Sequence, residues 1–185
     1  RSENDGALAI NALERFLGDW AIEQGLSLDV LDAEPKAETM GVIGAGPSGL
    51  SFAYQMARRG YPVTVYERRP LAGGMLRYGV PDYRLPPDVL AAEIDRICEL
   101  GVEIRTGTGI EAIEGKEAAE AVLLSDGSRI KADLILVAVG AVPATELAEA
   151  AGIAVDNGIA VDGQCRTSAA GVYAAGDCAS FRSAR

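Results

Sequence analysis

The sequence predicts an α/β fold in which a parallel sheet is followed by a three-stranded antiparallel meander. Three observations support this prediction. The run Met40–Leu50 has the pattern of a short buried strand, a turn rich in glycine and the start of a helix. Strand and helix patterns then alternate as far as Arg105, which is typical of a parallel sheet. Beyond Gly107 the pattern changes to short segments of alternating apolar and polar residues.

The glycine-rich turn predicts a binding site for a dinucleotide. Gly44 permits the tight turn, Gly46 lets a phosphate approach the backbone, and Gly49 lets the helix pack close to the strand. The N–H groups of such a turn point outward at the positive end of the helix dipole, which favours a bound pyrophosphate. The alternative is a turn without a ligand, because a single G-x-G-x-x-G is a weak signal.

The residues after the turn favour the dinucleotide interpretation. Gly60 ends the helix, and residues 61–66 are rich in β-branched and aromatic residues, which predicts a second strand. Glu67 follows this strand, about where a carboxylate accepts hydrogen bonds from the ribose hydroxyls of an adenosine.

A loop with paired glycines and several prolines spans residues 68–87. It is predicted to be either an ordinary surface loop or, so close to a phosphate site, part of the ligand cradle. Residues 88–100 are predicted to form a helix with an apolar face, and residues 102–105 a third strand. Cys98 on that helix is predicted to be a small core residue.

The second half of the chain is predicted to alternate between strands and turns. The meander consists of residues 110–113, 121–124 and 128–131. The sequence then predicts a fourth core strand at 133–140, a short helix at 145–151, a short strand at 159–161 and a fifth core strand at 171–177. Asp177 stands at the carboxyl end of that last strand, the edge at which open α/β sheets bind ligands.

Residues 1–38 are predicted to be a helical appendage and linker, and residues 39–185 the main domain. Apolar residues recur at helical spacing from Leu8 to Gln24, and Trp20 on this stripe is predicted to be a packing anchor. A charged segment containing a proline follows. We therefore expect the appendage to pack either on the main domain or on another chain.

Composition excludes several classes of function. The net charge of −10 over 185 residues argues against nucleic acid and anionic membranes as partners. No apolar run is long enough to span a membrane. The cysteines form no C-x-x-C pair, and such a sparse set suits a reducing cytoplasm. Because there is no histidine, no catalytic side chain and no metal site are predicted, and a cofactor must supply the chemistry.

Two motifs, in this order along the chain, resemble a known family. The first combines residues 44–60 with the later Gly-Gly pair and the loop 77–86, and the second is residues 174–178. Together they resemble the FAD-binding domain of flavoproteins with two dinucleotide-binding domains, a Rossmann-like fold of the glutathione-reductase type. Residues 8–105 look most like the small subunit of NADPH-dependent glutamate synthase. Residues 108–181 are closer to rubredoxin and ferredoxin reductases.

This resemblance implies FAD as the cofactor and a role for each residue of the first motif. The residues that would contact the pyrophosphate or lie beside it are Gly44, Gly46, Pro47, Ser48 and Gly49. Glu67 would hold the adenosine ribose, and Arg68 would lie near the adenine.

The resemblance also assigns residues to the rest of the cofactor. Those on the cradle towards the flavin are Gly74, Met75 and Arg84. Gly140 would end a strand beside the adenosine portion. In the Gly176-Asp177 pair, Asp177 would hydrogen-bond the ribityl chain.

The sequence departs from this family in three ways. The segment between Gly140 and Asp177 is too short for the NAD(P)H-binding domain that the family inserts there, and it has no second G-x-G-x-x-G. Iron–sulfur cysteines typical of the glutamate synthase relatives are absent. The chain also stops at Arg185, before the family's flavin-facing helix. We therefore expect a flavin domain without its nicotinamide domain, in a truncated or domain-deleted form.

The sequence thus predicts an FAD-binding oxidoreductase or electron-transfer flavoprotein, with a redox partner protein or larger subunit as its partner. One alternative is a non-catalytic dinucleotide-binding or assembly module, or an inactive fragment. A second alternative is an NAD-binding dehydrogenase built on a single dinucleotide-binding unit.

Overall fold

A computed structural model of the protein describes residues 8–181 and divides the chain into two compact units. Residues 1–7, which belong to the predicted appendage, and residues 182–185 lie outside the described part. The first unit ends at Val139, and the second begins at Gly140. The boundary predicted at residue 38 stays a prediction.

The first unit contains a parallel and an antiparallel sheet, as the sequence predicts. Its elements in chain order are α1 (Ile10–Glu23), β1 (Met40–Ile43), α2 (Pro47–Ala57), β2 (Val63–Tyr66), α3 (Met75–Tyr78), α4 (Pro87–Glu99), β3 (Glu103–Arg105), β4 (Ile110–Glu114), β5 (Ala121–Leu124), β6 (Arg129–Lys131) and β7 (Leu134–Val137). The parallel sheet has the order β3-β2-β1-β7, and the meander has the order β4-β5-β6. The predicted α/β fold class is therefore confirmed.

The register of the parallel sheet brings three strand ends together. Ile43 at the end of β1 lies opposite Tyr66 on β2 and Val137 on β7. Because carboxyl ends of parallel strands meet at one edge, the segments that follow these strands become neighbours. The glycine turn after β1 and Glu67 after β2 are two of them.

Helices α2 and α4 pack with the parallel sheet around the main core. This core consists of Met40, Val42, Ala45, Leu50, Ala53, Ala57, Val63, Val65, Ala72, Leu90, Ile94 and Val102. A smaller cluster formed by Tyr66, Val122 and Leu124 lies between β2 and the meander. Cys98 packs against the main core as predicted, and burial raises the pKa of its thiol.

The fourth predicted core strand forms, but it is less buried than its apolar sequence indicates. In β7, Leu134 is 45% exposed and Val137 is 55% exposed. The physical reason is its position, since β7 pairs only with β1 and forms an edge of the sheet. An apolar run predicts a strand but does not tell which neighbours cover it.

The second unit contains α5 (Glu146–Ala150), β8 (Ile159–Val161) and β9 (Ala179–Phe181), with β8 and β9 paired in parallel. The fifth core strand predicted at 171–177 is wrong. That segment makes only an isolated antiparallel bridge between Arg166 and Tyr173. Its backbone is used locally, because Thr167 N donates to Val172 O at 3.0 Å and Ala174 N donates to Cys165 O at 3.1 Å.

The segment before β1 is attached to the end of α2. The amides of Leu31 and Asp32 donate to the carbonyl of Arg58 at 2.7 and 3.1 Å, and Lys36 N donates to Gly60 O at 2.9 Å. Gly60 has a φ of +85°, and a Cβ at this position would collide with the carbonyl oxygen of Glu34. The predicted linker is therefore an ordered strap on the first unit.

We predict that Gly60→Ala lowers the free energy of unfolding more than Gly101→Ala does. Both glycines follow a helix and have a positive φ, +85° and +92°, but an added Cβ meets nothing within 4 Å at Gly101. The control should therefore cost only the backbone term of roughly 1–2 kcal/mol. Urea unfolding of both variants measures the difference. Equal losses would show that the strap does not pack closely on Gly60.

Candidate functional site

The turn between β1 and α2 places Gly44 and Gly46 beside the first amides of the helix. Gly44 has a φ of +102°, and a Cβ there would collide with the carbonyl oxygen of Ala138, which follows β7. Gly46 precedes α2, and Pro47 is its first residue. The first amides of a helix have no intrahelical acceptor. Among the described residues, no side chain caps those of α2.

Gly49 brings α2 against the end of β1. Its Cα is buried, and an added Cβ would collide with Gly44 O and would lie 3.1 Å from Val42 Cγ1. Any side chain at this position would push the helix away from the strand. Ser48, the residue before it, is exposed at the same end of the helix.

Glu67 joins the glycine turn to the loop after β2. Its carboxylate is 7% exposed, and in the described part of the chain it is the one buried charged group. Oε2 accepts a hydrogen bond from Ala45 N at 2.9 Å, and Oε1 accepts one from Arg69 N at 2.9 Å. Since an ionised carboxylate offers about four lone-pair sites, it keeps capacity for further donors.

The second glycine pair packs directly on the turn. Gly73 N donates to Ala45 O at 2.8 Å. Gly74 has a φ of +51°, and a Cβ added to it would lie 2.6 Å from the Cα of Gly46. The loop 68–87 is therefore part of the same structure as the turn. Within it the sequence did not predict the short helix α3, which begins at Met75, a residue 69% exposed.

Two predicted arginines lie on the surface of the first unit. Arg68 is exposed and directly follows Glu67. Arg84 is also exposed, and its backbone carbonyl accepts a hydrogen bond from Arg15 Nη1 at 2.8 Å. The next residue after Arg68, Arg69, makes a cation–π contact, because its guanidinium lies 4.3 Å from the ring centre of Tyr78.

The remaining predicted site residues belong to the second unit. Gly140 is its first residue and has a φ of +97°. Gly176 has a φ of +81°, and its carbonyl accepts a hydrogen bond from Ala179 N at 3.1 Å. Asp177 is exposed.

Three residues of the site were not singled out from the sequence. Ala45 holds both Glu67 and Gly73 through its backbone, and Ala138 closes the turn from the side of β7. The sequence signal at position 45 is the small side chain of alanine, because the position between Gly44 and Gly46 is fully buried. Gly73 was visible only as one half of a glycine pair.

The described residues contain neither a metal-ligating cluster nor a disulfide. In residues 8–181, no group of three or more Cys, Asp or Glu side chains could hold a metal ion. The cysteines Cys98, Cys165 and Cys178 are all free. No helix in this part of the chain has the length and apolar character to cross a membrane.

Comparison with known protein families matches residues 23–185 to the family described as pyridine nucleotide-disulphide oxidoreductase. One curated relative, the NADP(+)-dependent formate dehydrogenase subunit beta of Moorella thermoacetica, is 40% identical over 60% of this chain and 18% of its own length. A putative glutamate synthase [NADPH] small chain of Cereibacter sphaeroides is 36% identical over 73% of this chain and 34% of its own.

Solved structures lead to the same group. A ferredoxin reductase of Rhodopseudomonas palustris has a TM-score of 0.61 and 34% identity, covering 80% of this chain and 35% of that one. The covalent putidaredoxin reductase–putidaredoxin complex has a TM-score of 0.59 and 35% identity, covering 81% and 35%. The predicted likenesses to the glutamate synthase small subunit and to ferredoxin reductases are confirmed. The chain spans about a third or less of the length of these relatives.

We predict that Glu67→Gln destabilises the first unit, because a glutamine offers one acceptor oxygen to two backbone donors. The amide of Ala45 or of Arg69 would then face an NH₂ group, at a cost of about 1–3 kcal/mol for an unsatisfied buried group. Glu111→Gln makes the same change at an exposed site and is the control. Urea unfolding at neutral pH measures both variants. Equal stability of the two would contradict the bridging role of the carboxylate.

Proposed function

The chain belongs to the pyridine nucleotide-disulphide oxidoreductase family, and on this basis we propose that it binds FAD and transfers electrons through it. The observation that supports this most directly is the assembly of Gly46, Gly74 and Glu67 around the start of α2. The close approach of the two loops leaves no room for a side chain at Gly74. The uncapped amides of α2 lie at this contact, and the Glu67 carboxylate is bonded to the neighbouring amide of Ala45.

A pyrophosphate fits the start of α2. The amides at the start of α2 have donor capacity left over, and the helix dipole makes that end favourable for negative charge. The absence of a side chain at Gly46 lets phosphate oxygens reach the backbone. We assign the pyrophosphate to residues 44–49, with Pro47 and Ser48 beside it.

The adenosine is assigned to the loop after β2. Glu67 has lone pairs left after its two backbone bonds, and these suit the hydroxyls of a ribose. Arg68 follows on the surface, where its guanidinium would lie near the adenine. Gly140, after β7, is assigned beside the same portion.

The flavin and ribityl portions are assigned by resemblance. Gly74 and Met75 extend from the pyrophosphate site, and the exposed Met75 suits contact with a flat ring. Arg84 is proposed for the same cradle. Gly176 and Asp177 are proposed for the ribityl hydroxyls.

We propose an electron-transfer role in which this chain supplies binding and orientation. FAD, when bound, supplies a ring that accepts and donates electrons. The chain contains no histidine, and in this proposal its side chains act as ligands of the cofactor. The proposed partner is a redox protein or a larger subunit, because the similar proteins include a formate dehydrogenase subunit beta and a putidaredoxin reductase in complex with putidaredoxin. Three free cysteines support a reducing compartment, for which we propose the cytoplasm.

Gly46→Ala separates ligand binding from folding. Gly46 has a φ of −82°, and a Cβ there would lie 3.9 Å from the Cα of Gly74, an ordinary contact. The variant should therefore unfold at nearly the same urea concentration as the parent chain. Its methyl group would stand between phosphate and backbone, so we expect FAD affinity to fall by about tenfold or more, about 1.4 kcal/mol. A flavin-fluorescence titration measures the affinity.

The control for this titration is Gly18→Ala, which adds a methyl group in open space on α1. It should bind FAD like the parent chain. Unchanged affinity of Gly46→Ala would contradict the assigned pyrophosphate position. A folded parent chain that takes up no FAD would contradict the proposed function and favour the non-catalytic module.

We also predict that dithionite bleaches the bound flavin while NADPH and NADH reduce it far more slowly. The reason is that no strand, glycine turn and helix like β1–α2 recurs in the described residues 140–181. Anaerobic absorbance spectroscopy follows the bleaching. Rapid stoichiometric reduction by either nucleotide would show that this chain holds the nicotinamide by another route.

A further inference from the structure

Helix α1 presents an apolar face to solvent. Its large residues recur at helical spacing, and each is between 44% and 65% exposed: Ile10, Leu13, Phe16, Leu17 and Trp20. None of the residues of α1 is buried. Trp20 therefore does not anchor the helix within the described chain. We call these five residues the α1 apolar face.

The opposite side of α1 is the one that contacts the first unit. Arg15 Nη1 donates to the carbonyl of Arg84 at 2.8 Å, and the residues of partial burial are Gly18, Asp19, Ala21 and Ile22. Just beyond the helix, Arg96 Nε donates to Leu26 O at 3.2 Å. A surface helix ordinarily turns its apolar stripe inward. Here the attached side carries only the small or mixed set Arg15, Asp19 and Ile22, and the side with the larger apolar residues is left open.

Two carboxylates of α1 flank the α1 apolar face, since Glu14 lies one helical turn from Leu17 and Glu23 lies one turn from Trp20. Residues 8–38 contain seven carboxylates and two cations. Both cations are paired within this segment, Arg15 with Asp19 at 2.6 Å and Lys36 with Asp32 at 2.6 Å. The five carboxylates without an ion pair in the described structure are Glu14, Glu23, Asp29, Glu34 and Glu38.

We infer that the α1 apolar face is a docking surface for a protein partner that presents a helical surface with an apolar centre and a basic rim. The aromatic pair Phe16 and Trp20 provides the kind of anchor that dominates binding energy in such interfaces. Glu14 and Glu23 would meet the basic rim, which would set orientation and association rate.

The same charges disfavour the other occupants. A second copy would bring Glu14 and Glu23 against the same two carboxylates, because an isologous contact pairs identical surfaces. An anionic membrane would repel them, whereas helices that lie on membranes are rich in Lys and Arg on the polar face. The inference rests on α1 alone and does not depend on FAD binding.

Trp20 is the one tryptophan of the sequence, so its emission reports directly on this surface. The probe is an amphipathic helical peptide of Leu and Lys, added to the full chain, with a Leu/Glu peptide of the same pattern for comparison. We expect the Leu/Lys peptide to shift Trp20 emission to the blue and to saturate, with affinity that falls as salt rises. The Leu/Glu peptide should bind at least about tenfold more weakly.

The double variant Leu13→Glu/Phe16→Glu should weaken the Leu/Lys peptide about tenfold or more. Leu147→Glu makes the same change at a helical leucine that is 90% exposed elsewhere, and it should bind like the parent chain. Circular dichroism checks that α1 remains helical in the double variant. FAD titration of both variants should be unchanged, so failure of this inference is distinguishable from failure of the proposed function.

Three outcomes would overturn the inference. The first is no saturable shift with the Leu/Lys peptide, or equal affinity for both peptides. The second is a concentration-dependent dimer in sedimentation that the double variant abolishes, which would make a second copy the occupant. The third is a blue shift with phosphatidylglycerol vesicles that exceeds the shift with the peptide, which would make a membrane the occupant.

Discussion

The contact of Gly49 with the carbonyl of Gly44 is the constraint on which the proposed site depends. It lets α2 begin directly at the end of β1, so that the first amides of the helix lie at the edge where the parallel strands end. Glu67 then reaches Ala45 from the neighbouring strand, and Gly74 closes on Gly46 from the following loop. A side chain at Gly49 or Gly74 would separate these segments.

The sequence predicts this part of the structure well because each element is governed locally. Glycine spacing, the β-branched second strand and the position of Glu67 all follow from contacts within one strand–helix–strand unit. What the sequence does not reveal is what the carboxylate touches in the fold. Its bonds to Ala45 and Arg69 are to backbone groups, and a backbone amide leaves no mark in the identity of its residue.

Predictions that depend on contacts between distant parts of the sequence were less accurate. The apolar run 134–139 contains the strand β7 (Leu134–Val137), but an edge strand has one neighbour, and no local pattern tells an edge from a centre. Residues 171–177 have the composition of a core strand, yet Val172 and Ala174 bond to the nearby segment 165–169. For α1 the period predicts the helix correctly, but not that its large apolar residues would face away from the rest of the first unit.

FAD binding is tested most directly by the mass of the purified, non-denatured chain after incubation with excess FAD, measured by native mass spectrometry. We expect one FAD per chain, released on denaturation as the unmodified cofactor. A folded chain that retains its apoprotein mass under these conditions would contradict the assignment of the glycine turn, Glu67 and the second glycine pair as a cofactor site.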